Sequence, residues 1–183
     1  MAWLTDIRTT TIAALVGVAA GGVEDSRVRP FAFGGAGDAT TADTFPRLVV
    51  GCRRFRREPR GNTGRMDLTA EIVIQCITVG PPGEVAGAVA ACETLEEQVH
   101  AALVNDGAWL TLWKGFPAPR VLSSDVDVTI VGSTAVCSIV QTWEVRGEYT
   151  RPAGRGDDLS TIVSTLTSTP KPAVVATVDG LDA

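Results

Sequence analysis

The clearest pattern in the chain is an alternation of apolar and polar residues from Arg65 to Val79. A period of two is typical of a strand with one buried face. A second strand is predicted for Arg47–Arg57, and the turn-forming residues 61–64 between the segments predict a hairpin. Fifteen extended residues span about 50 Å, whereas a domain of this size is about 40 Å across. We therefore expect the hairpin to project beyond its core.

Helical spacing of apolar residues appears in two places. A stripe from Val85 to Leu103 predicts a helix that ends near Asn105, and similar spacing predicts a helix over Thr5–Ala20. Between the first helix and the hairpin, Val28–Phe33 predicts a short strand, and residues 34–44 predict a long loop.

A closing hairpin is predicted from Val121–Val131 and Ala135–Tyr149, which flank a Gly-Ser turn. The order helix, strand pair, helix, strand pair predicts an α+β fold. We expect a four-stranded, mostly antiparallel sheet with the helices packed on one face. Residues 1–150 form this domain, and residues 151–183, rich in Gly, Ser, Thr and Pro, are predicted to be an extended C-terminal arm.

Composition narrows the range of partners. The 183-residue chain has a net charge of −5, which argues against a general nucleic-acid binder, since such proteins need a basic surface. Its longest weakly polar run, residues 13–23, is shorter than the roughly 20 residues that span a bilayer. The four cysteines form no C-x-x-C pair, so we interpret Cys76 and Cys92 as small core residues. We expect the chain to be made in a reducing cytoplasm.

The sequence offers little for catalysis. His100 is the only histidine and follows Glu96 by one helical turn, a spacing typical of a surface pair. Asp125, Asp127 and Glu144 could gather around a metal, but alternation places the two aspartates on the solvent face of an ordinary strand. We therefore expect neither an enzyme nor a cofactor.

Positive charge is concentrated on the first arm of the long hairpin. Seven of the sixteen basic residues fall between Arg47 and Arg65, opposed there only by Glu58. Three interpretations remain open: a solvated hairpin tip, binding to a phosphate backbone, or docking against an acidic face of another subunit. The candidate interface residues are Arg53, Arg54, Arg56, Arg57 and Arg60 on the arm, with Glu93, Glu96 and Glu97 as the acidic face.

The order of these elements resembles the tail terminator (tail completion) proteins of long-tailed bacteriophages. The resemblance covers about residues 4–150 and rests on element order and pattern. It is carried by an N-terminal helix, an Arg-Val-Arg-Pro segment at 27–30, the start of the hairpin at 45–50, the alternating strand at 66–78, the Glu-rich helix at 84–104 and the closing strand at 143–149.

The resemblance implies a structural virion protein in the tail or neck, made in the host cytoplasm. Such proteins form hexameric rings that cap the tail tube, end its polymerisation and present a surface to the head connector. The implied partners are further copies of the chain, the tube protein, the connector or stopper protein, and DNA passing through the lumen. An alternative is a neck accessory protein that contacts DNA through the arginine-rich hairpin.

Overall fold

A computed structural model describes residues 2–28, 45–60 and 64–150 of the chain. The loop expected at 34–44, most of the short strand expected at 28–33 and the arm expected at 151–183 lie outside these residues. The described elements are α1 (Ala2–Ala14), β1 (Val23–Asp25), β2 (Arg47–Pro59), β3 (Arg65–Pro82), α2 (Val85–Asn105), α3 (Gly107–Thr111), β4 (Arg120–Val131) and β5 (Thr134–Thr150).

The α+β class is confirmed, with one correction to the sheet. The described strands form a five-stranded mixed sheet in the order β1-β2-β3-β5-β4, rather than a four-stranded one. The additional strand, β1, pairs parallel with β2 through Val23–Leu48 and Asp25–Val50. The remaining neighbours are antiparallel. The sequence does not predict β1, because a strand of three residues is too short to show a periodic pattern.

The helices pack on one face of the sheet. Alternate strand residues such as Ile72, Ile74 and Ile139 share a buried cluster with Leu95 of α2 and Trp109 of α3. The opposite face holds a smaller cluster of Val49, Ile77 and Val136. This arrangement follows from the period-two pattern, since successive side chains of a strand point to opposite faces.

Helix α1 is shorter than predicted. It ends at Ala14 and is followed by turns through residue 21. Gly17 adopts a left-handed backbone conformation with φ 84°, which is incompatible with continuing the helix. The apolar residues after Ala14 nevertheless reach the core, since Leu15 is fully buried.

A third strand runs beside the long hairpin out to its tip. β2 and β3 pair from Arg47–Ile77 out to Pro59–Met66, and β5 runs beside β3 as far as Thr150. The outer part of the hairpin is therefore the edge of a three-stranded ribbon, which gives it support that a bare hairpin lacks.

Charged side chains anchor β1 to its neighbours. Asp25 accepts from Arg27 at 2.7 Å and pairs with Arg8 of α1 at 2.9 Å. The hydrogen bond from Arg27 is the main reason that the pKa of Asp25 is lowered. β1 therefore holds α1 and the start of β2 together.

Candidate assembly surface

A β-bulge organises the first two arginines of the predicted interface. The pairing of β2 with β3 shifts between Arg53 and Phe55, so that Arg54 is an extra residue, with φ 48°. As a result both arginines reach Glu71: Arg53 Nε and Arg54 Nη1 each lie 3.3 Å from one of its carboxylate oxygens. Arg53 also donates to Thr142 Oγ1 at 3.1 Å. One carboxylate thus serves two guanidinium groups, which leaves a net positive charge here.

Arg60 is occupied within the subunit. It lies 3.5 Å from Glu148, which also approaches Arg65 at 3.4 Å. Both arginine side chains are more than half exposed, and exposed ion pairs contribute about 0–1 kcal/mol. Arg60 is therefore a weaker candidate for an interface than the sequence indicates.

Arg56 and Arg57 differ from the other three arginines. Both are exposed, and no described residue forms an ion pair with either of them. Pairing with Thr69 places Arg56 on the face opposite the helices, and pairing with Leu68 places Arg57 on the helix face. The Arg57 guanidinium lies 4.8 Å from the ring centroid of Phe55, within cation–π range. The outer end of β2 therefore presents, on each face of the sheet, an exposed arginine that forms no ion pair with a described residue.

The arm also borders an open groove of about 690 Å³. Four basic side chains line it, and four acidic ones balance them, so the groove carries no excess charge that would select an anion. The basic residues are Arg56, Arg60, Lys114 and Arg146, and the acidic ones are Glu58, Asp67, Glu144 and Glu148.

The three glutamates of the predicted acidic face are not equivalent. Glu96 Oε1 accepts from Ser124 Oγ at 2.6 Å and from Gln141 Nε2 at 2.8 Å, so it ties α2 to β4 and β5. Glu93 and Glu97 are exposed and have no ion-pair partner among the described residues. Because Glu93 lies three residues before Glu96, both are on the flank of α2 that faces β4. The acidic face therefore lies beside β4.

The structure does not bring the arginines and the glutamates together within one subunit. β2 lies near one end of the strand order and β4 at the other, and no ion pair among the described residues joins the two groups. An interaction between them would have to occur between copies.

The residues considered earlier for catalysis or metal binding make structural contacts. His100 stacks on Trp143 at a centroid distance of 5.2 Å. Glu144 is held by Arg120 at 3.1 Å and by Arg146 at 3.0 Å. Within residues 2–28, 45–60 and 64–150, no group of three or more His, Cys, Asp or Glu side chains is placed to hold a metal.

The cysteines lie in or beside the core. Cys76, Cys92 and Cys137 are buried, and Cys52 is half-buried, which confirms the interpretation of Cys76 and Cys92. Burial raises the pKa of the Cys92 thiol to about 12 and that of Cys52 to about 11. Thiols of this kind are poor nucleophiles at neutral pH, since the thiolate is the reactive form.

Sequence reasoning missed two parts of this surface. The first is Glu71, which neutralises part of the charge on the arm and could be identified only once the bulge fixed the pairing. The second is the edge position of β4, where Asp125 and Asp127 lie exposed. The alternation predicted the solvent-facing aspartates correctly but carried no information on which strand ends the sheet.

Comparison with protein families and curated sequences gives no match. No protein-family model matches the chain, and no curated protein sequence matches it. Among the described helices, none is long and apolar enough to cross a membrane.

Proposed function

We propose that this protein is a structural subunit that assembles into a ring, in the manner of the phage tail terminators that its sequence resembles. The ring, a hexamer in that family, would cap the head-proximal end of a tail tube, end its polymerisation and join it to the head connector. The observation that carries the proposal is the separation of charge across the sheet. Arg56 and Arg57, which form no ion pair with a described residue, lie on β2. Glu93, which likewise has no ion-pair partner among the described residues, lies on the flank of α2 that Glu96 joins to β4.

Separated surfaces of opposite charge suit a head-to-tail contact. A subunit that carries them at opposite ends of its sheet attracts the next copy and repels a copy in the reverse orientation. Repetition of a heterologous contact gives a ring when the rotation closes. Ring formation thus needs only the two ends of one subunit.

The direct test is the particle that the purified protein forms. We expect rings by electron microscopy and a mass of several subunits by light scattering, either alone or on purified tail tubes. Tubes assembled with the protein should have uniform length, whereas tubes without it should continue to grow. A monomer under all these conditions, with no effect on tube length, would refute the proposal.

A charge reversal tests the role of the arm. Arg56→Glu together with Arg57→Glu should abolish the ring, because both side chains are exposed and neither forms an ion pair with a described residue. Lys114→Glu is the control, since Lys114 lines the groove next to Arg56 but does not lie on β2. Equal losses in both variants would place the contact in the groove rather than on the strand.

Contact with DNA is the second candidate, and the same unpaired arginines favour it. It predicts binding whose logarithmic affinity falls by about 0.9 for each phosphate contact per unit of log salt. Lack of binding at low salt by the assembled ring would exclude it. Binding that survives in the Arg56→Glu, Arg57→Glu variant would assign the DNA contact to other residues.

A further inference from the structure

Two strand edges of the described sheet have no neighbour. β4 is the last strand of the order, so no described strand pairs with its outer edge. At the other end, β1 pairs with β2 only from Leu48 to Val50, and one further hydrogen bond joins Ser26 N to Val50 O. Beyond Val50, no described strand covers the outer edge of β2. Open edges carry unpaired N–H and C=O groups that readily accept another strand.

The β4 edge is apolar as well as open. Val126 is 55 % exposed and Ile130 64 % exposed, and both lie on the helix face. Twelve residues make β4 a long edge strand. Long exposed edge strands with apolar side chains are sites of strand addition unless they are protected.

Acidic side chains lie on both faces of this edge. Pairing with Val140 and Ser138 places Asp125 and Asp127 on the face opposite the helices. On the helix face, Glu93 lies on the flank of α2 that contacts β4 through Glu96. Burial is the main reason that the pKa of the Cys137 thiol is raised, and the nearby carboxylates of Glu93 and Asp127 add to that rise.

The free part of β2 has the complementary composition. Arg56 lies opposite the helices, where Asp125 and Asp127 lie on β4. Arg57 and Phe55 lie on the helix face, where β4 presents Val126 together with the nearby Glu93. On each face of the sheet, the free part of β2 is therefore complementary to the β4 edge: opposite charges match on both faces, and apolar side chains match on the helix face.

We propose that the outer half of β2 in one copy pairs antiparallel with β4 of the next copy, so that the sheet continues from subunit to subunit. The inference deepens the proposed function, since it rests on several copies meeting head to tail. Within one subunit, β2 runs antiparallel to β4, because three successive antiparallel pairings separate them: β2 with β3, β3 with β5 and β5 with β4. Copies related by rotation about an axis to which the strands are tilted keep that relation, and their helix faces remain on the same side.

The two edges are offset along the strands. Arg53, Glu71, Glu144 and Arg120 form one row across the sheet, so β4 begins at the level where the free part of β2 also begins, and the two extend in opposite directions from that row. Pairing therefore requires each subunit to be shifted along the strand direction relative to the last. Tilted strands in a closed ring provide such a shift.

A mixing experiment tests the pairing. The first variant carries Arg56→Glu and Arg57→Glu, and the second carries Asp125→Arg and Asp127→Arg. Each variant alone has like charges on both edges, so neither should assemble. An equimolar mixture should restore rings, because the acidic β2 of one variant then meets the basic β4 of the other. A single chain with all four substitutions should also assemble.

Three results would overturn the pairing. They are normal assembly of the second variant alone, failure of the mixture, and failure of the fourfold variant while its far-ultraviolet circular dichroism matches that of the wild type. The reversals Glu93→Arg and Glu97→Arg provide a comparison. Glu93 is about one helical turn from Glu96, which accepts from Ser124 of β4, whereas Glu97 points about 100° away from Glu96 around the helix. The reversal of Glu93 should therefore weaken assembly more.

Cross-linking gives a readout that does not depend on charge. Arg57→Cys and Val126→Cys, in a Cys52→Ser background, place two exposed thiols on the helix face of the paired edges. A short bis-maleimide should then produce a ladder of covalent oligomers, and the single-cysteine variants should give at most dimers. Rings by microscopy without a ladder would refute strand pairing and leave the proposed function standing. Absence of any wild-type oligomer, with or without tail tubes, would refute the proposed function itself.

Discussion

Trp3 lies directly against Gly147: a β-carbon at position 147 would be only 2.6 Å from Cζ2 of the indole. The same indole lies 5.9 Å from the ring of Phe55. The first turn of α1 therefore covers the outer parts of β2 and β5, the region from which the basic arm extends. Space, rather than an unusual backbone angle, requires glycine at 147.

Gly147→Ala should therefore destabilise the fold. Forcing a methyl group into a packed contact costs about 1–3 kcal/mol, which urea unfolding can measure. Gly107→Ala is the matched control, because no atom lies within 4 Å of a β-carbon at that position. In a Trp3→Ala background the cost of Gly147→Ala should largely disappear. An unchanged cost there would show that another neighbour restricts position 147.

Glu96 should be a stability residue rather than an interface residue. Glu96→Ala leaves the side chain of Gln141, which is buried, without its acceptor. The loss of such a partner costs about 1–3 kcal/mol. Glu97→Ala, on the same helix and exposed, should change the free energy of unfolding by less than about 0.5 kcal/mol. Equal effects of the two substitutions would contradict the assignment.

Asp25 should make the attachment of β1 sensitive to acid. Its pKa is lowered, chiefly by the hydrogen bond from Arg27, so its contribution is present above the unfolded-state pKa and is lost as the pH falls through the folded-state value. Asp25→Asn should cost about 1–3 kcal/mol at pH 7. The difference between wild type and variant should shrink as the pH falls below about 4.

Asp67→Asn serves as the control for that experiment, since Asp67 is exposed and lies on the same sheet without an ion-pair partner among the described residues. It should have little effect at any pH. If the free energy of unfolding differs between the wild type and Asp25→Asn by the same amount from pH 7 to pH 3, shape rather than charge accounts for the lost stability.

Cys92 should produce the opposite dependence at high pH. Burial raises its pKa from 9.0 to about 12, so the folded state favours the neutral thiol. Its contribution is present below pH 9 and is lost as the pH rises towards 12, by at most about 1.4 kcal/mol per pH unit. The difference in unfolding free energy between wild type and Cys92→Ala should fall over that range. Rapid alkylation of Cys92 in the folded protein at pH 8 would contradict this.

The strongly periodic elements could be predicted from the chain because their signal is local. Residues 85–103 show a single apolar stripe, and α2 occupies Val85–Asn105. The alternation at 65–79 likewise lies within β3. β1 was missed because its three residues are held by long-range pairing with Leu48–Val50 and by ion pairs, neither of which leaves a pattern in the sequence.

The candidate surface could be predicted only in part for the same reason. The excess of arginine on the arm is visible in the sequence, but its division into neutralised and unneutralised side chains is not. Glu71 reaches Arg53 and Arg54 only because the bulge adds a residue to β2. Glu96 turns inward because Ser124, 28 residues away, donates to it. Such contacts depend on the completed sheet.

In the proposed pairing, β1 would set the length of β2 that a neighbouring copy can use. Among the described residues, β1 covers β2 through Val50, so the proposed overlap between subunits would begin beyond that residue. A longer β1 would shorten the overlap and change the shift from one copy to the next, without altering any arginine or aspartate. The length of this small strand would thereby determine the tilt of the strands and, through the tilt, the diameter of the ring.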